Sequence, residues 1–263
     1  MRCGRFKSVV AAAGFALLAM AYGCAEVPTD PDERAAYDER NDPLEPMNRY
    51  FFDLNNAMDE LILKPFAGWY YILLPNYAQD RVRDALNNLR SPVILGNDLF
   101  QGDLDRAGTT IARFFINSTL GIAGLWDVAS EFGLIYHDED FGQTLAVWGT
   151  GEGPYLVLPI LGPSNPRDAV GRGVDMAMDP LTWILPAYDL GYLGYIRAGL
   201  DAVDLRARNL KTLDEIKQGA IDYYATVRSL YRQHRTDEIR NGAPPDAVSV
   251  LDYLSDPQTS EAP

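Results

Sequence analysis

Residues 103–121 read D-L-D-R-A-G-T-T-I-A-R-F-F-I-N-S-T-L-G, and their spacing sets the fold class. Leu104, Ala107, Ile111 and Phe114 recur at intervals of three and four, the period of a helix rather than the alternation of a strand. Asp103 stands immediately before them. A carboxylate there can accept from the unpaired N–H groups of the first turn, so it is predicted as the N-cap.

The same period continues outward. Phe51, Leu54, Met58 and Leu61 keep it, as do Val82, Leu86 and Leu89. Leu205, Leu210, Leu213, Ile216, Ile221, Tyr224, Val227, Leu230 and Tyr231 predict a long helix from about Asp201 to Arg240, with Gly219 as a possible break. No clear period-two run and no internal repeat is present. The fold expected is mostly α, in one domain over residues 42–241.

Three stretches between these helices do not suit an ordinary water-soluble bundle. Residues 65–79 (PFAGWYYILLPNYAQ), 141–163 (FGQTLAVWGTGEGPYLVLPILGP) and 180–195 (PLTWILPAYDLGYLGY) are apolar, aromatic and nearly uncharged, yet too short to span a bilayer. Trp69, Trp148 and Trp183 lie in them, beside Tyr70, Tyr71, Tyr155 and Tyr188. Trp and Tyr favour the boundary between hydrocarbon and water, so these tryptophans are expected at a membrane interface. The alternative is that the stretches form the core of a globule. In the second stretch Gly149, Gly151 and Gly153 alternate before Pro154, and Pro159 and Pro163 follow. Such a run predicts a turn or flexible loop leading into an extended or kinked segment. A phosphate cradle is disfavoured, because the spacing is not G-x-G-x-x-G and no P-loop lysine follows.

The first 24 residues give an address. Arg2, Arg5 and Lys7 precede an apolar run from Val9 to Ala21, and Gly23-Cys24 closes it. This is a secretory leader over residues 1–23, and the cysteine after a small residue resembles a bacterial lipobox with Cys24 as the lipidated first residue. Tyr22 and Ala21 depart from the usual residues there, leaving a plain leader with an incidental cysteine as the alternative. Ala25 stands where aspartate commonly signals inner-membrane retention, which favours the outer membrane. Loss of the three basic residues takes the formal charge from −14 to −17. That charge excludes nucleic-acid binding through phosphate neutralisation and adhesion to anionic headgroups. With Cys3 removed and Cys24 acylated, no thiol remains for a disulfide, a metal or nucleophilic chemistry. Residues 24–41 are acidic and proline-containing, a tether rather than a folding unit, and residues 242–263 are a flexible tail with at most a short helix around Val248 to Leu254.

Enzyme chemistry is thinly represented. Only His137 and His234 are present, without H-E-x-x-H or G-x-S-x-G. His137 precedes Asp138, Glu139 and Asp140; a solvated loop histidine among surface carboxylates is the plainer reading of that run than a catalytic or cation site. No cofactor and no metal site is predicted.

The residues then match a family. Asp42-Pro43-Leu44-Glu45-Pro46-Met47-Asn48-Arg49 resembles the D-P-L-E-x-x-N-R opening of the MlaA/VacJ lipoproteins of the Gram-negative outer membrane. The resemblance continues at Asn97 with Gln101-Gly102 and from Arg113 through Asn117 to Gly121. It is densest at Asp140-Phe141-Gly142-Gln143-Thr144-Leu145 and Trp148 to Tyr155, with Leu158-Pro159, Gly162-Pro163 and Arg167-Asp168 following in order. It implies a helical ring embedded in the periplasmic leaflet of the outer membrane around a polar channel. It also implies removal of phospholipids that have strayed into the outer leaflet, their passage to a periplasmic lipid carrier, and association with trimeric porins. Gly149, Gly151, Gly153, Pro154 and Tyr155 resemble the family's glycine loop and are expected to control access to the lipid path. A lipid-modifying hydrolase using the loop near His137, or a structural lipoprotein that organises porins, are the alternatives.

Cys24→Ser is expected to abolish acylation, since a hydroxyl cannot replace the thiol as acceptor, and to weaken membrane attachment by about 0.8 kcal/mol for each CH₂ no longer buried. Acyl-chain labelling followed by cell fractionation checks this; normal labelling of the serine variant overturns the lipobox assignment.

Overall fold

The computed structural model describes residues 42–241, together with Asp30 and Arg34. The leader, Cys24, the rest of the tether and the tail with its suggested short helix lie outside the described residues. The chain begins with α1 (Glu45–Met58), which passes through one π-helical turn (Asp59–Leu63) into α2 (Lys64–Leu73). There follow α3 (Asn76–Gln101), α4 (Leu104–Thr119), α5 (Val128–Glu131) and α6 (Phe141–Val147). Strands β1 (Leu156–Leu158) and β2 (Gly162–Ser164) precede α7 (Pro166–Met178), α8 (Pro180–Ala187), α9 (Tyr192–Arg208), α10 (Leu210–Gly219) and α11 (Tyr223–Ile239). No helix among the described residues is long and apolar enough to cross a membrane.

Local chemistry explains these boundaries. Gly102 ends α3 with φ +79°, a left-handed turn that glycine enters without strain. Asp103 then caps α4 as its spacing predicts, accepting from the Arg106 N–H at 3.0 Å. The long helix expected from Asp201 to Arg240 is instead three helices. Asn209 turns its side chain back to donate to the Leu205 carbonyl at 2.8 Å, which ends α9. The second break falls just after Gly219, where Ala220 is extended and Asp222 recaps the chain by accepting from Ala225 N–H at 3.2 Å. The segment after the glycine loop forms a small antiparallel hairpin, with Leu156 opposite Ser164 and Leu158 opposite Gly162. Three residues per strand are too few to show an alternating pattern.

Polarity runs opposite to a water-soluble bundle. In α4, Leu104, Ile111 and Phe115 face outward, while Ala107, Thr110, Arg113 and Asn117 are buried. Among the described residues, buried polar side chains outnumber buried apolar ones, and the exposed large apolar side chains run from Met47 to Leu230. Two small apolar clusters remain. One gathers Ala67, Tyr70 and Ala207; the other gathers Tyr155, Val157 and Tyr224.

Polar bonds therefore hold the helices. Arg235 on α11 reaches Asp140 with two bonds of 2.7 and 2.6 Å and Asp168 with one of 3.1 Å. Asp140 caps α6 through the Gln143 N–H at 2.9 Å, and Asp168 lies in the first turn of α7. One guanidinium thus ties three helices. The ends of the domain meet as well: Tyr224 and Arg228 on α11 both bond Asp42.

Arg235→Ala is expected to destabilise the domain by about 3–5 kcal/mol, because Asp140 loses its bonded cation and Asp168 one of its two. Arg83→Ala breaks only an exposed pair with Asp80 and is expected to cost about 0–1 kcal/mol. Thermal unfolding of both variants in detergent checks the contrast, and equal losses would refute it.

Candidate functional site

Helices α3, α7, α8 and α9 touch one another in a closed cycle, α3 with α7, α7 with α8, α8 with α9 and α9 with α3. They surround a cavity of about 950 Å³. On α3 the lining side chains include Arg83, Leu86, Asn87, Arg90 and Val93, the three-and-four spacing of one helix face. On α9 they include Gly194, Ala198 and Asp201, where the two small residues leave the space unfilled. Leu181, Leu185 and Pro186 of α8 form an apolar wall. The loop before α6 contributes Tyr136 and Asp138 to a polar one.

The charges of this cavity are only partly covered by protein. Arg90 Nε pairs with Asp138 at 3.0 Å, and each side chain keeps about 40% of its surface exposed, to the cavity that both line. Burial alone would lower Arg90, but Asp138, Tyr136, Asp140 and Asp175 outweigh it and hold the guanidinium above its usual value. Burial raises Asp138 despite Arg90, with Asp140 and Glu238 adding to the rise. Burial also raises Asp175, although Asn97 Nδ2 at 2.9 Å and the Phe141 N–H at 3.0 Å donate to it. Arg197 bonds Asp179, which caps α8 through Leu181 N–H, so the α8–α9 wall is fastened at its rim.

The family-motif positions tie elements to one another across the domain. Asn48 is fully buried: its amide donates to Asp42 at 2.8 Å and to the Tyr155 carbonyl at 2.9 Å, and its oxygen accepts from Val157 N–H. It thereby fixes the hairpin to α1. Arg49 pairs with Asp222 at 2.6 Å and lies 4.4 Å from the Tyr224 ring centre; this pairing depresses Asp222 to about 2. Asn97 joins α3 to α6 and α7 through Thr144 and Asp175. Arg113 makes two bonds of 2.9 Å to Asp127, and Asn117 adds a third of the same length, folding the 120–134 loop. Arg167 bonds Asp168 at 2.9 Å. Phe141 opens α6, and at Gly142 a Cβ would run into the Arg235–Asp168 contact.

The glycine loop lies outside the cavity wall. Gly149 and Gly153 have φ of +88° and +71°; Gly151 has an ordinary φ and open space around it. Pro154 leads into Tyr155, whose ring is buried between Tyr224 and Tyr231 and anchors the loop's far end. At the near end Trp148 packs edge-on against Phe100 and Phe141 and donates to the Phe100 carbonyl at 3.0 Å. Trp69, Trp148 and Trp183 are 60%, 55% and 65% exposed, so none of the three is a core residue.

The acidic run departs from its sequence reading. His137 is not a solvated loop residue: Nε2 lies 3.1 Å from Asp98 and 3.2 Å from Thr110 Oγ1 in a largely buried position. Glu139 is enclosed and pairs with Arg106, Asp138 turns to Arg90 and Asp140 to Arg235. The backbone alternates these neighbours into separate environments. Of the charged cavity residues, only Asp138 was weighed for chemistry from the sequence. The hydrophilic stripe Arg83, Asn87, Arg90 on an otherwise apolar-periodic helix was the available signal for the rest.

Comparison with known proteins agrees with this architecture. The family model for MlaA lipoprotein matches residues 40–238. The intermembrane phospholipid transport system lipoprotein MlaA of Haemophilus influenzae is 34% identical over 209 residues, covering 78% of this chain and 81% of that one. Its Escherichia coli counterpart is 32% identical over 244 residues, 89% and 92% of the two chains. An uncharacterized protein of Rickettsia bellii is 35% identical over 201 residues, 76% of this chain and 77% of its own. A solved structure, described as the structural basis for maintenance of bacterial outer membrane lipid asymmetry, superposes with a TM-score of 0.66 at 31% identity, covering 76% of this chain and all of that one. The chain belongs to the MlaA lipoprotein family.

The loop glycines are expected to differ in what they tolerate. Gly149→Val and Gly153→Val force a branched residue into the left-handed region and cost about 1–2 kcal/mol each, whereas Gly151→Ala is expected to leave the Tm unchanged. Thermal unfolding of the three variants decides; a Gly151 variant as damaged as the other two would show that the described loop conformation is wrong.

Proposed function

We propose that this protein is an outer-membrane lipoprotein that maintains lipid asymmetry. In this reading it takes mislocalised phospholipids from the outer leaflet through its polar cavity and passes them to a periplasmic lipid carrier. The observation that carries the reading is the inverted polarity: an apolar, aromatic exterior around a polar interior with a charged, open cavity. Large exposed apolar patches are unfavourable in water and favourable against acyl chains. A headgroup left unpaired in hydrocarbon costs several kcal/mol, and a polar cavity removes that cost. Relatives whose names describe intermembrane phospholipid transport support the same reading.

The domain sits in the periplasmic leaflet, held by the acylated Cys24 and by Trp69, Trp148 and Trp183 at the interface. A trimeric porin flanks it. The exposed glycine loop, tethered at both ends by aromatic rings, adjusts access to the lipid path. Transport requires no bond to be broken, so no enzymatic role is assigned. The hydrolase alternative gains no support from His137, which is packed against Asp98 and Thr110, with Thr110 Oγ1 already donating to Asp98 at 2.6 Å.

Filling the cavity tests the reading against a purely porin-organising role. Ala198→Trp places a large ring where α9 presents a methyl group to the cavity. Outer-leaflet phospholipid is expected to rise to the level seen without the protein, at unchanged abundance and membrane attachment. Intact asymmetry in a folded, cavity-filled variant would overturn transport through this cavity and favour the organising role.

A further inference from the structure

The cavity carries more information than its size, because its charges are not all matched. Its wall holds three arginines and six aspartates. Asp84 and Asp127 are matched from behind the wall by Arg81 and Arg113, Asp138 by Arg90 and Asp179 by Arg197. Arg83 is matched by Asp80 outside the cavity. Two wall carboxylates have no cationic partner among the described residues. Asp175 accepts only neutral donors, and Asp201 on α9 is exposed with no hydrogen-bond or ion-pair partner.

Arg90 is the complementary feature. Its Nε engages Asp138, but no hydrogen bond occupies its two Nη groups among the described residues, and the side chain is open to the cavity. A guanidinium edge of this kind presents the paired donors that fit phosphate oxygens. Arg90, Tyr136 and Asp201 line the same cavity, so the free cationic edge and the free carboxylate open into one space. The apolar wall of α8 runs along the same cavity, where Leu181 and Leu185 can meet acyl chains.

We propose that the cavity selects zwitterionic phospholipids, with the Nη groups of Arg90 receiving the phosphate and the carboxylate of Asp201 receiving the headgroup ammonium. An ethanolamine headgroup supplies both charges. A glycerol headgroup supplies only the anion, which would meet a wall with an excess of carboxylates. This inference rests on the proposed lipid path and adds to it a headgroup preference.

The test uses the full-length acylated protein in detergent micelles, incubated with equimolar phosphatidylethanolamine and phosphatidylglycerol bearing identical acyl chains, re-isolated and analysed for bound lipid by mass spectrometry. The ethanolamine lipid is expected to be enriched about three- to fivefold, the size of one water-exposed ion pair. Asp201→Asn is expected to bring the ratio close to one with an unchanged Tm. Arg90→Gln is expected to lower the retention of both lipids, and Arg90→Lys to restore part of it. Soluble glycerophosphoethanolamine in excess is expected to leave the bound lipid in place, since it lacks the tails that the α8 wall holds; displacement by it would assign the site to a free headgroup and overturn the lipid reading. Equal retention of the two lipids, or a preference that survives Asp201→Asn, overturns the headgroup inference while leaving transport standing. Retention of neither lipid overturns both.

Discussion

The buried bond between Arg235 and the two carboxylates Asp140 and Asp168 is the constraint on which the arrangement depends. Asp140 caps α6, Asp168 lies in the first turn of α7, and Arg235 arrives from α11, 95 and 67 residues later. Burial penalises all three charges, yet they remain ionised. Asp140 and Asp168 are both held below the usual carboxylate range, against burial, by bonds and attraction from Arg235, with Tyr231 and Arg167 adding to the effect at Asp168. Tyr231 and Asn165 take up further lone pairs of Asp168 at 2.5 and 2.9 Å. These bonds offset part of the cost of burying such a cluster. Glycine makes the approach possible. At Gly142 and at Gly171 a Cβ would overlap the opposite helix or the ion cluster itself, so α6 and α7 cross at backbone contact.

That arrangement explains why an inside-out domain can keep a hole in it. An apolar core gains free energy by shrinking and would close on an empty space of 950 Å³. Directional bonds have fixed lengths and angles and gain nothing from collapse. Here the walls are held by Asn97, Arg113, Asn117 and the Arg235 cluster, each of which bonds at a set distance across elements. The apolar residues are then free to face outward, where in the proposed setting lipid rather than water receives them. Polar scaffold and open cavity are one design.

The helices were legible because an apolar period specifies a helix whichever way its residues face: in α4 Leu104 and Ile111 point outward while Ala107 is buried. Which solvent they face is not written in the period, and only the short aromatic segments hinted at it. Asp103 was legible as a cap because capping is local chemistry. The break at Asn209 was not, since its side chain bonds the backbone in a way that an asparagine inside a helix does not advertise. The motif residues Asn48, Asn117, Asp140 and Asp168 were legible through the family resemblance, although their bonds to Tyr155, Asp127 and Arg235 depend on long-range closure. The cavity was the least legible part. Its wall draws on α3 and α9, over a hundred residues apart, and its key residues are single charges that read locally as helix surface.

The pairing of Arg90 with Asp138 has a consequence for any molecule that must leave as readily as it enters. A naked arginine in an enclosed site would bind a phosphate tightly, because nothing else compensates its charge. Here the phosphate would share a cation already compensated by Asp138. The gain on binding is therefore the difference between two similar interactions rather than a whole ion pair. The nearby unmatched carboxylates reduce it further for an anionic ligand. Such a site lowers the barrier for a headgroup without creating a deep well, which is what passage demands and storage does not. The same internal pair keeps the cavity stable when empty, because neither charge is then left alone. On the proposed lipid path, one ion pair on the wall between α3 and the loop that precedes α6 would thus temper how tightly a headgroup is held while leaving no charge of that pair alone in the empty cavity.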